Sequence, residues 1–253
     1  GGAAGYWGDS NQAPRQLVDQ GNVDYLVFDY LAEVTMSILV RAKAADPTKG
    51  YAADFVHLVM KPLLAQIKEK GVKVVVNAGG VNISACADAL RKVAKDQGIA
   101  LKVGIVEGDD LLGRMDELRS RGITEMFSGA PLPDELASAN AYLGAFPIAA
   151  ALDGGAEVVI TGRCVDSAVT LGILAHEFSW KPKDYDKLAA GTLAGHILEC
   201  GAQATGGNFT DWRDSVAGWD NMGYPIAECF SDGRFVICKP KGTGGIVTRL
   251  SVG

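Results

Sequence analysis

Four short runs of mostly Val, Ile and Leu constrain the fold of this chain more than any other feature: "VDYLVFD" (23–29), "VKVVVNA" (72–78), "LKVGIVEG" (101–108) and "AEVVITG" (156–162). They scarcely alternate apolar with polar residues, which is the pattern of parallel strands covered on both faces. Stretches with helical spacing lie between and after them, at 31–46, 51–70, 82–98, 133–153, 166–178 and 184–199. Strand alternating with helix predicts an α/β fold: an open, mostly parallel sheet with helices on both faces, its strands containing Val27, Val75, Ile105 and Val159. At 253 residues and 48% hydrophobic, the chain has apolar material for one large core or one and a half domains.

The two ends read differently. "GGAAGYWGDS" looks like the loop that follows a first strand, without the strand, and "GYPIAECFSDGRFVICKPKGTGG" like a hairpin turning at Asp232-Gly233 with no closing element. Both ends read as trimmed. The expected organisation is an α/β core over 1–209 with its first strand missing, and over 210–253 the start of a smaller β-rich part that is truncated.

Several function classes are disfavoured. The net charge of −6, without a Lys/Arg-rich run, argues against nucleic acid. No apolar run reaches about 18 residues and no signal pattern opens the chain, which argues against a membrane. Five scattered cysteines without CxxC argue against a disulfide framework or a structural zinc site and fit a reducing, cytoplasmic setting. Neither GxGxxG nor GxxxxGK[ST] occurs at a strand–helix junction, which disfavours NAD and ATP.

In an open parallel sheet, ligands bind beyond the carboxyl ends of the strands. The polar and glycine residues at those positions are therefore the candidates: Asp29 and Glu33; Asn77, Gly79, Gly80 and Asn82; Glu107, Asp109 and Asp110; Thr161, Gly162, Arg163 and Asp166; and Asp9 in the opening loop. Helix capping is the competing account of Asn82, Asp109 and Asp166. "GHILECGAQATGG" (195–207) adds a second kind of signal. His196 and Glu199 share a helix face, and Gly201 should end that helix. The pair reads as an imidazole oriented by a carboxylate for general acid/base work, with Gln203, Thr205 and Asn208 as ligand donors and Gly206 and Gly207 leaving room for a ligand. Two ligands of a divalent metal, or a plain helix end, are the alternatives. His57 and His176, in largely apolar helical patterns, read as structural. The apolar stretch "NAYLGAFPIAAAL" (140–152) is either a subunit interface or a buried helix, and a homo-oligomer is expected.

Nine ordered blocks together resemble the acyclic terpene utilisation (AtuA-like) family: "GYWGD", "DYLAEVTM", "VVVNAGGVN", "VEGDDLL", "ANAYLGA", "VVITGRCVDSAV", "GHILECGAQATGGNF", "GYPIAE" and "GTGGIV". Ser10 departs from the Arg expected after the first glycine loop. The resemblance implies a carbon–carbon lyase, or a related hydro-lyase, acting on a hydroxy acid or its CoA thioester in acyclic terpene or branched-acid catabolism. On that reading His196 backed by Glu199 is the base, and Arg163 with the N–H groups of Gly79 and Gly80 stabilises the enolate. Glu107, Asp109 and Asp110 would supply oxygens if a divalent metal is required, Asp109 counting also among the catalytic candidates, and CoA enters only as part of the substrate. The alternatives are a non-catalytic binder of acyl or CoA-ester ligands, and a subunit that needs a small partner chain for activity.

Overall fold

A computed structural model describes residues 1–253. Five strands form one parallel sheet: β1 (Gly2–Ala4), β2 (Tyr25–Phe28), β3 (Lys73–Val76), β4 (Val103–Val106) and β5 (Val158–Thr161), in the spatial order β1-β2-β3-β5-β4. Val27 lies opposite Val75, Val75 opposite Val159, and Ile105 opposite Ile160, so the four positions expected in parallel strands all occupy them. Successive residues point to opposite faces. Leu26, Phe28, Val74, Val76, Val158 and Ile160 pack into the core on one face, and Val27, Val75 and Val159 into the core on the other. That two-sided burial is why the runs of β2, β3 and β5 are continuously apolar; β4, expected to be covered likewise, lies at the sheet edge and leaves Ile105 exposed.

The first face is covered by α1 (Gln12–Gln20), by α3 (Lys61–Lys70), entered through a π-helical turn (Phe55–Met60), and by α4 (Ile83–Asp96), through Leu17, Phe55, Leu64 and Leu90. The second is covered by α6 (Phe146–Asp153), α7 (Ala168–Glu177) and α8 (Tyr185–Glu199), through Ile148, Leu152, Val169, Ile173 and Leu198. α2 (Glu33–Ala45) and the short α5 (Met115–Ser120) lie in the β2–β3 and β4–β5 connections. No helix is long and apolar enough to cross a membrane.

Two expectations need correction. The opening residues, read as loop alone, form β1, which pairs with β2. The cause of the misreading is Gly2: a Cβ there would collide with the carbonyl oxygen of Leu198, so the close approach of α8 selects glycine where a strand would ordinarily carry a β-branched residue. The second concerns the helix expected over 133–153, of which only Phe146–Asp153 forms. Pro147, accommodated in the first turn of α6, bars a helix from continuing through the stretch before it. Its chain instead runs across the strand ends, bridging Asp110 with Asn140 and Leu143 with Cys164. α6 itself packs against α7, with Ile148, Ala149 and Leu152 buried.

Beyond α8, β6 (Ile226–Cys229) and β7 (Phe235–Cys238) form the antiparallel hairpin expected, with Gly233 at φ +96° in its turn, and α9 (Arg249–Val252) closes the chain. The hairpin is tied down where Trp180 Nε1 donates to the carbonyl of Ser231 at 3.0 Å.

Candidate functional site

The strand order sets where a ligand can enter. β5 sits between β3 and β4 although it follows both in sequence. The chain leaving β3 turns to α4 on one face, and the chain leaving β5 turns to α7 on the other. Such divergence opens a crevice at the carboxyl ends of the two strands.

Asp29 stands at the end of β2 beside this crevice and is 4% exposed. Its Oδ1 accepts from Asn77 Nδ2 at 2.5 Å and from the Leu31 amide at 3.3 Å, whereas its Oδ2 takes no hydrogen bond. Burial pushes its pKa from the ordinary 3.8 up to about 7, against the pull of the Asn77 amide and with help from the charges of Asp166 and Glu199. Carboxylate oxygens of Asp29, Asp166 and Glu199 lie within 4.8 Å of one another. Glu199 is the last residue of α8, and its pKa is also raised, chiefly by burial. Three carboxylates from three segments therefore meet at one point.

Arg163, just past β5, supplies the cation. Its side chain is 6% exposed, and Nη1 donates to Asp166 Oδ1 at 3.0 Å and to the Cys164 carbonyl at 3.2 Å. The guanidinium lies 4.2 Å from the centre of the Tyr142 ring, and Nη2 is 3.7 Å from Glu33. The Tyr142 hydroxyl donates to Glu33 and holds that exposed carboxyl below its usual range. Stacking and a fixed carboxylate together pre-orient the guanidinium.

His196 carries its ring 66% exposed with Nδ1 2.9 Å from Glu199 Oε1, the pairing expected from their spacing. The next residue, Cys200, directs its thiol to the His196 carbonyl at 3.1 Å and to Glu199 Oε1 at 3.5 Å. Burial, then the neighbouring Glu199, pushes that thiol up to about 12. α8 stops at Glu199, and Gly201, at φ +56°, begins a short 3-10 turn.

The other candidates are braces in this arrangement. Asn77 is fully buried and joins two strand ends, since its Oδ1 accepts from the Tyr30 amide at 2.7 Å. Gly79 donates its amide to Thr161 across the crevice floor, and Gly80 packs under Leu39. Asn82 stands at the N-cap position of α4 but makes no side-chain capping bond; its Nδ2 donates to the carbonyls of Pro47 and Lys49. Asp9 accepts from the Gly5 and Ser10 amides and from the Tyr224 hydroxyl at 2.6 Å. Thr205 is buried and donates to the Gly223 carbonyl at 2.5 Å, while Gln203 and Asn208 are exposed and 3.5 Å apart. The space beside Gly206 and Gly207 holds Ser215 and the Ala202 carbonyl.

Asp109 is 3% exposed, and its Oδ2 accepts twice, from the Arg163 amide at 2.8 Å and from Asn140 Nδ2 at 2.9 Å. It aims the backbone that carries Arg163. Asp110 accepts from the Leu112 amide, and Glu107 from Ser84. The oxygens of Glu107, Asp109 and Asp110 do not form a metal-competent group; those of Asp29, Asp166 and Glu199 do. A Cβ on Gly162 would sit 2.5 Å from both Asp109 oxygens. Gly162→Ala is accordingly expected to destabilise the fold by about 1–3 kcal/mol, read as a lower urea midpoint at unchanged slope.

The model of one family, described as "Acyclic terpene utilisation family protein AtuA", matches residues 1–253. No curated protein and no solved structure matches the chain.

Proposed function

The chain belongs to the acyclic terpene utilisation family, a membership that implies a role in acyclic terpene utilisation, and from this premise we propose that it is a carbon–carbon lyase acting on a tertiary hydroxy acid or its CoA thioester. The observation that carries the proposal is Asp29, a buried carboxylate with one unbonded oxygen, set close to Asp166, which the buried cation Arg163 holds.

Retro-aldol cleavage needs a base for the hydroxyl proton and a donor for the developing enolate. Asp29 Oδ2 takes the proton. The electrons of the O–H bond form the new carbonyl, the adjacent carbon–carbon bond breaks, and its electron pair becomes an enolate against the Arg163 guanidinium. The protonated Asp29 then returns the proton to the enolate carbon, so the cycle needs no second reactant. His196, marked as the base by its helical pairing, is two-thirds exposed and has Nδ1 beside Glu199, so here it orients Glu199. The charges of Glu199 and Asp166 in turn strengthen Asp29 as a base.

The test is turnover of a branched 3-hydroxyacyl thioester to a ketone or 3-oxoacyl fragment plus an acid or thioester fragment. Arg163→Gln should lower turnover by about 10²–10³-fold, as removal of one enolate-stabilising donor does elsewhere. Saturable binding of the thioester without any cleavage product would replace the lyase with the acyl-ligand binder.

A further inference from the structure

We infer that the end of α8 is a mixed nitrogen, oxygen and sulfur site for one zinc-class divalent ion, with His196, Glu199 and Cys200 as its protein ligands. The three residues occupy positions i, i+3 and i+4 of one helical turn, which brings their side chains to one side of the helix. One ligand atom from each already lies within 4.8 Å of the other two. His196 Nδ1 and Glu199 Oε1 are 2.9 Å apart, and Cys200 Sγ and Glu199 Oε1 are 3.5 Å apart. Tetrahedral zinc, with bonds of about 2.0–2.3 Å, holds its ligand atoms roughly 3.3–3.7 Å from one another, so small side-chain rotations complete the set.

The choice of ion follows from the donors. Imidazole and thiolate favour zinc-like transition metals, whereas magnesium and calcium take oxygen. The location favours a cation as well. The last carbonyls of α8 place the negative end of its dipole there, and carboxylate oxygens of Asp29 and Asp166 lie within 4.8 Å of one of Glu199. Three protein ligands leave a fourth position open, the arrangement of a catalytic rather than a structural zinc site. This deepens the lyase reading of the same crevice, since an ion there would polarise the substrate hydroxyl beside Asp29. The site's existence does not depend on that reading.

The test uses the metal alone. The full chain, stripped with a chelator, is titrated with zinc and separately with cobalt(II), without substrate. Binding of one equivalent is expected, and the cobalt form should show a near-ultraviolet thiolate-to-metal band. Cys200→Ser should abolish that band, and His196→Ala should weaken affinity by at least about tenfold. No stoichiometric binding overturns the inference. So does a band that survives Cys200→Ser, or cobalt bound without the band, which would assign the ion to the oxygens of Asp29, Asp166 and Glu199. Metal binding without thioester cleavage would defeat the lyase alone, and cleavage by the metal-free chain would defeat the ion's part in it alone.

Discussion

Asp29→Asn should lower turnover by about 10²–10⁴-fold, the usual loss when a positioned base is removed, with ligand affinity changed only a few-fold. Asparagine keeps the oxygen that accepts from Asn77 and Leu31 but cannot take a proton. The same substitution should stabilise the metal-free fold at alkaline pH. The sign follows from the raised pKa of about 7. Between pH 4 and 7 the unfolded chain has already released this proton and the folded chain has not, so wild-type stability falls as pH rises through that window. A displacement from 3.8 to about 7, at ~1.4 kcal/mol per pH unit, bounds the loss near 4 kcal/mol, and water in the crevice reduces it. Thermal melts in chelator should therefore place the variant above wild type at pH 8 and level with it at pH 4. Equal melting at both values would overturn the raised pKa of Asp29, and full turnover would remove it from the mechanism.

Phe28→Ala should destabilise the protein by about 3–5 kcal/mol. Phe28 is fully buried, with its ring 5.6 Å from that of Phe55 at 69° and 5.8 Å from that of Tyr30. Truncation removes a large apolar surface and leaves a cavity whose walls belong to β2 and to the π-helical turn before α3. Neither wall can collapse freely, because each is anchored in the same face of the core. Against a typical total of about 5–15 kcal/mol this is a severe loss. Urea unfolding with an unchanged slope would measure it, and Phe28→Leu should recover more than half. A loss under about 1 kcal/mol would mean that the two walls repack.

The strands were legible because burial on both faces keeps the middles of β2, β3 and β5 apolar, with Lys73 and Thr161 only at strand ends. β1 was not, since the approach of α8 replaced its side chains with glycine and alanine. The run 133–145 misled for a related reason: its Ala and Leu residues have helical spacing, but the buried carboxylate of Asp109 and the guanidinium of Arg163 draw Asn140 and Tyr142 across the crevice. For the site, position after a strand located Asp29, Arg163 and Asp166, and helical spacing paired His196 with Glu199. Which of these side chains would touch could not be read, because that depends on where α8 ends relative to β2. Nor could the pattern separate ligand-facing polar residues from braces. Asn77, Asp109 and Thr205 are polar for the sake of the backbone they hold.

The place of β5 in the sheet has a consequence for biosynthesis. A ribosome releases β3 and β4 well before β5, yet those two strands never pair with each other. Until residues 158–161 emerge, each exposes an apolar edge with open backbone donors and acceptors, the kind of surface that recruits other chains. The insertion is also a non-local event, since it must follow closure of the long loop from β4, and such closures fold slowly. The element order that opens the crevice thus gives the nascent chain an interval of vulnerability, in which holding chaperones or rapid elongation decide between sheet completion and aggregation.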